Sequence, residues 1–297
     1  MGRLFFFTAS FIAAESLLAI STHTTRPWQW LALLLMIATG LICTLFIARH
    51  RFALGISGFV VMALAVLTRL PALFAAPLFD DDYFRFLWDG YQLLSGASPY
   101  ATTPASHFSQ AVGDVAWEHV LSGVNHPDVA TIYGPSLQAL FWVAALVGGA
   151  SPIVLKALFV AADIGLVALL LRVGAAPWMV MLYVVNPLAI KEIGFSLHPD
   201  GVIALWLTLA LFSLQRGRVL RAALYAAAVV CAKLPLLLLA ATLNLKNPLH
   251  RRMAAWCLLL SVCTYLPFLF PDPALPFIGL REFADVWRYN ALGFHLF

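Results

Sequence analysis

The chain has 297 residues, of which 62 % are hydrophobic and only 11 % charged. A soluble domain needs roughly a quarter of its residues charged to cover its surface, so this composition excludes a water-soluble globule and makes lipid the expected solvent. The net charge of +4 sits in short basic loop clusters, which points to membrane topology and not to nucleic acid.

A helix that crosses hydrocarbon needs about 20 mostly apolar residues. In chain order the apolar runs are Leu4–Ser21, Trp28–Ala48, Phe52–Leu70, Leu137–Gly148, Ile153–Leu171, Trp178–Ile190, Pro199–Leu214, Ala222–Cys231, Leu234–Leu243 and Met253–Phe270. The first three and Ile153–Leu171 are expected to cross. Several others are too short to do so alone, and would lie inside a bundle or re-enter from one side. Leu4–Ser21 follows Arg3 as a signal peptide would, but no small-residue cleavage site and soluble domain follow it, so it reads as the first span. Cys43, Cys231, Cys257 and Cys263 all fall in apolar runs without metal spacing and read as small buried hydrophobes.

Orientation follows from Arg and Lys. Placing Arg49 and Arg51 in the cytoplasm puts the amino terminus inside and sends Asp80–Pro135 outside. That loop carries seven of the fourteen carboxylates (Asp80, Asp81, Asp82, Asp89, Asp114, Glu118, Asp128) against one internal Arg. For the cluster of Arg216, Arg218 and Arg221 to stay inside, Leu137–Gly148 must not cross. His198–Asp200 and Lys233 then face outward as well. Within the loop, Asp80–Gly96 has apolar residues at helical spacing (Tyr83, Phe84, Leu87, Trp88, Tyr91, Leu94) and Asp81, Arg85 and Asp89 every fourth position. The pattern predicts an interfacial helix with one charged and one greasy face, anchored by Trp88 and Tyr91 and ended by Gly96, Ser98 and Pro99.

The strongest chemical signal is Asp80-Asp81-Asp82. Three adjacent carboxylates repel, so at least one is expected to have a raised pKa unless cations compensate. Such a group can accept a proton from a hydroxyl; the plain alternative is an acidic helix start. Arg85, one turn after Asp81, suits bidentate contact with phosphate or with that carboxylate. Lys233, between apolar stretches, either neutralises an anion or snorkels to the interface. His198 and Asp200 either contact a polar ligand or cap the following helix, with Lys191 and Glu192 one loop earlier. One His and one Asp do not make a metal site. His126, Asp128 and Tyr133 lie in a turn-rich segment where binding residues collect.

The blocks Asp81-Asp82-x-x-Arg85-Phe86-x-Trp88-Asp89-Gly90, Gly96-x-x-Pro99-Tyr100 with Pro104, Asn125-His126-Pro127, Ile132-Tyr133-x-Pro135, Ser196-x-His198-x-Asp200 and Lys233-x-Pro235 resemble the GT-C superfamily of polytopic glycosyltransferases. The likeness is to bacterial mannosyltransferase-like members and to the mannosyltransferase of glycolipid-anchor assembly. The resemblance implies one all-α transmembrane bundle of GT-C type over residues 1–297, with residues 78–135 as an extracytoplasmic catalytic loop carrying interfacial helices. It implies an inverting transferase, placed in a bacterial inner membrane, that moves a hexose, mannose first, from a polyprenyl-phosphate donor to a glycan or glycolipid acceptor.

By the same resemblance Asp81 or Asp82 is the general base, with adjacency leaving the choice open, and Asp80 is a preceding cap outside the pattern. Arg85, Asp89, Lys233, His198 and Asp200 are expected at the donor phosphate or sugar, and His126 and Tyr133 at the acceptor. The donor groove would open to lipid between the Asp81 loop and the Lys233 helix pair. No metal ligand set is visible, although some superfamily members use a divalent ion. The rival reading is a carrier or flippase of lipid-linked sugars that makes no bonds. Members of the family continue through further membrane helices, so the chain is expected to be incomplete after Met253–Phe270. Arg281, Glu282, Asp285 and Arg288 would either complete the donor groove or form an exposed charged helix.

Overall fold

A computed structural model describes residues 2–51, 55–109 and 113–286. All regular structure among them is helical. The helices are α1 (Gly2–Ser21), α2 (Arg26–His50), α3 (Gly58–Leu67), α4 (Leu70–Phe74), α5 (Asp82–Leu94), α6 (Val115–Ser122), α7 (Pro135–Gly148), α8 (Pro152–Arg172), α9 (Pro177–Val184), α10 (Pro187–Ile190), α11 (Asp200–Gln215), α12 (Val219–Val230), α13 (Pro248–Tyr265) and α14 (Leu275–Val286). A π-helical turn, Lys191–Phe195, follows α10. The chain forms two compact units, residues 1–83 with 152–216 and residues 84–151 with 217–297.

Three helices are long and apolar enough to cross a membrane: α1, α2 and α8. A fourth span is available if α9 and the α10 segment, bent by 51°, count as one. Of the four runs expected to cross, three are matched. The Phe52–Leu70 run is the exception, and Phe52 itself lies outside the described residues. Its helix stops at Leu67, and α4 restarts at Leu70 with Pro71 in its first turn. Pro71 has no N–H to donate to the Leu67 carbonyl, so the hydrogen-bond ladder is interrupted at the junction.

In the first unit, α1 and α2 are joined by the short link Thr22–Thr25 and pack together. Their buried positions are Leu4, Thr8, Phe11, Glu15 and Leu18 on α1, and Leu33, Met36, Gly40, Cys43 and Ile47 on α2. Both series step by three and four, the spacing of knobs packed into holes. Gly40 makes room in the seam, because a Cβ there would stand 2.9 Å from the Pro187 ring and 3.1 Å from Phe11. Hydroxyls on these helices bond back to the preceding turn, as Thr8 Oγ1 does to the Leu4 carbonyl at 2.9 Å, so they cost little in an apolar setting. Their outer faces are apolar and exposed (Phe6, Ile20, Leu34, Leu45), as lipid contact requires.

In the second unit, α5 packs on α7 so closely that a Cβ on Gly90 would lie 2.2 Å from the Phe141 carbonyl oxygen. Phe86 and Phe141 stack there at 4.7 Å. The end of α12 is capped by the start of α7: the Gly134 and Ser136 amides donate to the carbonyls of Ala232 and Cys231, and Ser136 Oγ donates to that of Ala228. Orphan carbonyls of one helix are thus satisfied by orphan donors of another.

The expected charged, solvated face of α5 is corrected. Arg85 to Gly90 are buried all round, with Arg85 7 % and Asp89 1 % exposed, and Trp88 is interior, not a surface anchor. Helical spacing of charges reads as a solvated face only when nothing packs over it; here α7 and the segment after α6 do. Among the cysteines, Cys43 and Cys231 are buried as expected, whereas Cys263 is exposed. Within the run Leu234–Leu243, Leu234–Thr242 is a 3-10 segment with no buried residue, not a packed α-helix.

Candidate functional site

In the first unit two chain segments are strapped together next to α5. The Leu78 amide donates to the Phe195 carbonyl at 2.9 Å, and Ser196 Oγ donates to the Leu78 carbonyl at 3.2 Å. One residue further on in each segment the backbone turns left-handed, at Phe79 (φ 73°) and Leu197 (φ 58°). Bulky residues adopt that conformation at a cost of about 1–3 kcal/mol each, and such strain gathers at functional sites. Its effect here is to aim the next side chains, Asp80 and His198, at each other.

His198 lies between two carboxylates. Its Nε2 is 2.9 Å from Asp80 Oδ2 and its Nδ1 is 2.6 Å from Glu192 Oε2. Glu192 is held in turn by Lys191 Nζ at 3.0 Å. Asp80 Oδ1 accepts from the Asp82 amide at 3.1 Å, which tethers the start of α5. Partial burial works to raise the Asp80 pKa. Hydrogen bonds from the His198 ring and from the Asp82 and Asp81 amides, with the imidazolium charge, outweigh it and hold the carboxyl below its ordinary range. Burial works to lower the His198 pKa, but hydrogen bonds and charge from Asp80 and Glu192 raise it above 6.5. The expected raised carboxylate in the Asp run is therefore not Asp80: a cation compensates it.

Asp80, Asp82 and His198 each offer a ligand atom, all within 4.8 Å of one another. Two carboxylates and an imidazole, with Glu192 on the other ring nitrogen to fix the tautomer, fit the donor chemistry of a divalent cation. A cation bound there would take the place of the proton that His198 and Asp80 share, since an imidazole ligates only when neutral. Sequence reading weighed only His198 and Asp200 for this role and set them aside, and it did not connect Asp80 or Asp82 with His198.

Of the other expected site residues in this unit, Asp81 is exposed and Asp82 half-buried, while Asp200 is exposed in the first turn of α11 and does not cap it, the cap position being Pro199. In the second unit, Arg85 donates to the carbonyls of Val129, Asn125 and His126 at 2.9, 3.2 and 2.8 Å. It clamps the turn in which His126, exposed, has φ 45°; those donors are spent on backbone and not held out to a phosphate. Asp89 accepts from Gln138 Nε2 at 2.8 Å and is sealed in the interior. Tyr133 packs edge-on against Phe86 and Phe141, and its carbonyl accepts from the Tyr100 hydroxyl. Lys233 is half-buried at the cap of the 3-10 segment Leu234–Thr242. Arg281 and Glu282 are exposed on α14, and Arg288 lies outside the described residues.

Sequence reading missed Asp80 and Glu192 as partners of His198. It also missed the buried ionisable residues of the first unit: Glu15 on α1, Arg69 between α3 and α4, and Lys156 and Asp163 on α8, each at most 2 % exposed. Charges inside otherwise apolar runs are costly, and that was the available signal. Arg69 Nε meets Asp163 Oδ2 at 2.8 Å, the Tyr183 hydroxyl donates to Asp163 Oδ1, and Lys156 donates to the Ala72 and Ala75 carbonyls.

Fold and cluster together define an all-helical protein with helices fit to cross a membrane and a carboxylate–histidine–carboxylate site beside them. No protein-family model matches the chain, and neither a curated protein nor a solved structure does.

Proposed function

We propose that this chain is a membrane glycosyltransferase of GT-C type, which moves a hexose from a polyprenyl-phosphate donor to an extracytoplasmic lipid or glycan acceptor with inversion. The observation that carries the reading is the Asp80–His198–Glu192 cluster, set by two left-handed residues beside Asp81 and Asp82 at the start of α5. A hydroxyl nucleophile needs a carboxylate to take its proton, and a departing phosphate needs nearby positive charge. Asp81 and Asp82 supply the first. His198, charged between its two carboxylates, and Lys191 supply the second. Of the two bases, Asp82 is the half-buried one joined to the cluster, and Asp81 the exposed one.

The test is sugar transfer in membranes given labelled polyprenyl-phosphate hexose, with Asp81→Ala and Asp82→Ala singly and together. We expect the double variant to lose transfer by at least about a hundredfold, the scale of general-base catalysis. Unchanged transfer would remove both residues from the role of base.

The ionisable residues buried in the first unit favour a second reading, a carrier of lipid-linked sugar, since transporters place such groups within the membrane. The same labelled donor separates the two: product means a transferase, movement without product a carrier.

A further inference from the structure

The polar groups buried in the first unit are not all satisfied. Arg69 is tied down by Asp163 through Nε, and by Thr68 Oγ1 at 2.9 Å and the Val184 carbonyl at 2.6 Å through Nη1. Its Nη2 has no hydrogen-bond partner. Glu15, on α1 and 0 % exposed, has no partner on either carboxyl oxygen. The groups that act on Glu15 are the Arg69 charge and a backbone N–H contact from Ala72. Along α2, the other helix packed on α1, the buried seam offers one titratable group, the Cys43 thiol. A carboxylate buried without a side-chain hydrogen-bond partner, facing a guanidinium already paired with another carboxylate, is too costly to keep ionised.

We propose that Glu15 is a proton-binding site in the first unit, and that its occupancy decides which carboxylate holds Arg69. With the proton on, Glu15 is neutral and Arg69 belongs to Asp163. When the proton leaves, the Glu15 carboxylate competes for Arg69 through the vacant Nη2. Arg69 sits at two helix breaks, between α3 and α4 and, through Val184, at the bend after α9. A change of partner there bears on both bends. The inference is independent of the transferase reading and needs no sugar substrate.

The test is infrared spectroscopy of the purified full chain in lipid nanodiscs at pH 8, where Asp89, with a pKa of about 6, is ionised. The wild type should show the carbonyl stretch of a protonated carboxylic acid, shifted in heavy water. Glu15→Gln should lose that band while keeping the wild-type Tm, because the amide is the isostere of the protonated acid. Asp163→Asn should lose it too, since Arg69 is then free to ionise Glu15. A band that persists in Glu15→Gln, or a Glu15→Gln variant that fails to fold or melts well below wild type, would overturn the proton site. A band that persists in Asp163→Asn would overturn the exchange of partners.

Discussion

Asp89 is a carboxyl group enclosed in the second unit, where Gln138 donates to one oxygen and the other oxygen has no partner. Burial raises its pKa to about 6; the Arg85 charge and hydrogen bonds from Thr131 and Gln138 oppose this and only partly succeed. The folded-state value lies above the ordinary 3.8, so the stability this group contributes is whole below about pH 4 and is lost as pH rises through 6. Asp89→Asn has no such loss. It should match wild type near pH 4 and be more stable above pH 7, by an amount on the order of 3 kcal/mol at most. Tm measured against pH in detergent checks this, and parallel curves for the two proteins would refute it. Asp80 and His198 carry shifts of the opposite kind for their types, each held in its charged form by the other. The same residue type, aspartate, is therefore made harder or easier to ionise according to the partner brought to it.

At the scale of elements, close approach replaces side-chain filling at several contacts. Gly90 brings α5 onto the α7 backbone, and any Cβ would have to displace a carbonyl group that cannot move alone. Gly90→Ala should cost about 3 kcal/mol, the upper end of overpacking. Gly58→Ala is the control: at the first position of α3 its Cβ meets only Leu171, at 3.8 Å, an ordinary contact. It should leave Tm within about a degree or raise it slightly, as alanine favours helix. Equal Tm values for the two variants would contradict the packing of α5 on α7. The break between α3 and α4 is the other decisive element feature. It turns one apolar run into two short helices and sets Arg69 at the junction, where Asp163 of α8 receives it. Losing one member of such a pair leaves the other charge buried.

For the whole molecule the open question is on which side of the membrane the acidic segment lies. The basic clusters lead one to expect Asp80–Pro135 outside. His126 is exposed and its neighbours form a turn, so a cysteine there, in a chain with the four native cysteines replaced, reports the side directly. His126→Cys should react with a membrane-impermeant maleimide added to intact cells. Reaction only after lysis would put the segment inside, and the proposed extracytoplasmic transfer would fall with it.

Much of this protein was legible without coordinates. Composition alone pointed to an apolar solvent, and the runs that became α1, α2 and α8 were legible as long and apolar enough to cross a membrane, because both depend only on local hydrophobicity. The acidic start of α5 and the turn after Gly96 were equally local. Tertiary structure decided which charges face each other. Asp80 and His198 are 118 positions apart and Arg69 and Asp163 are 94 apart, and spacing along one helix carries no trace of such pairs. It also decided burial: Arg85 and Asp89 recur as a solvated face would, yet α7 and the Asn125–Val129 turn close over them, because a helix pattern records which residues share a side and not what is packed against it.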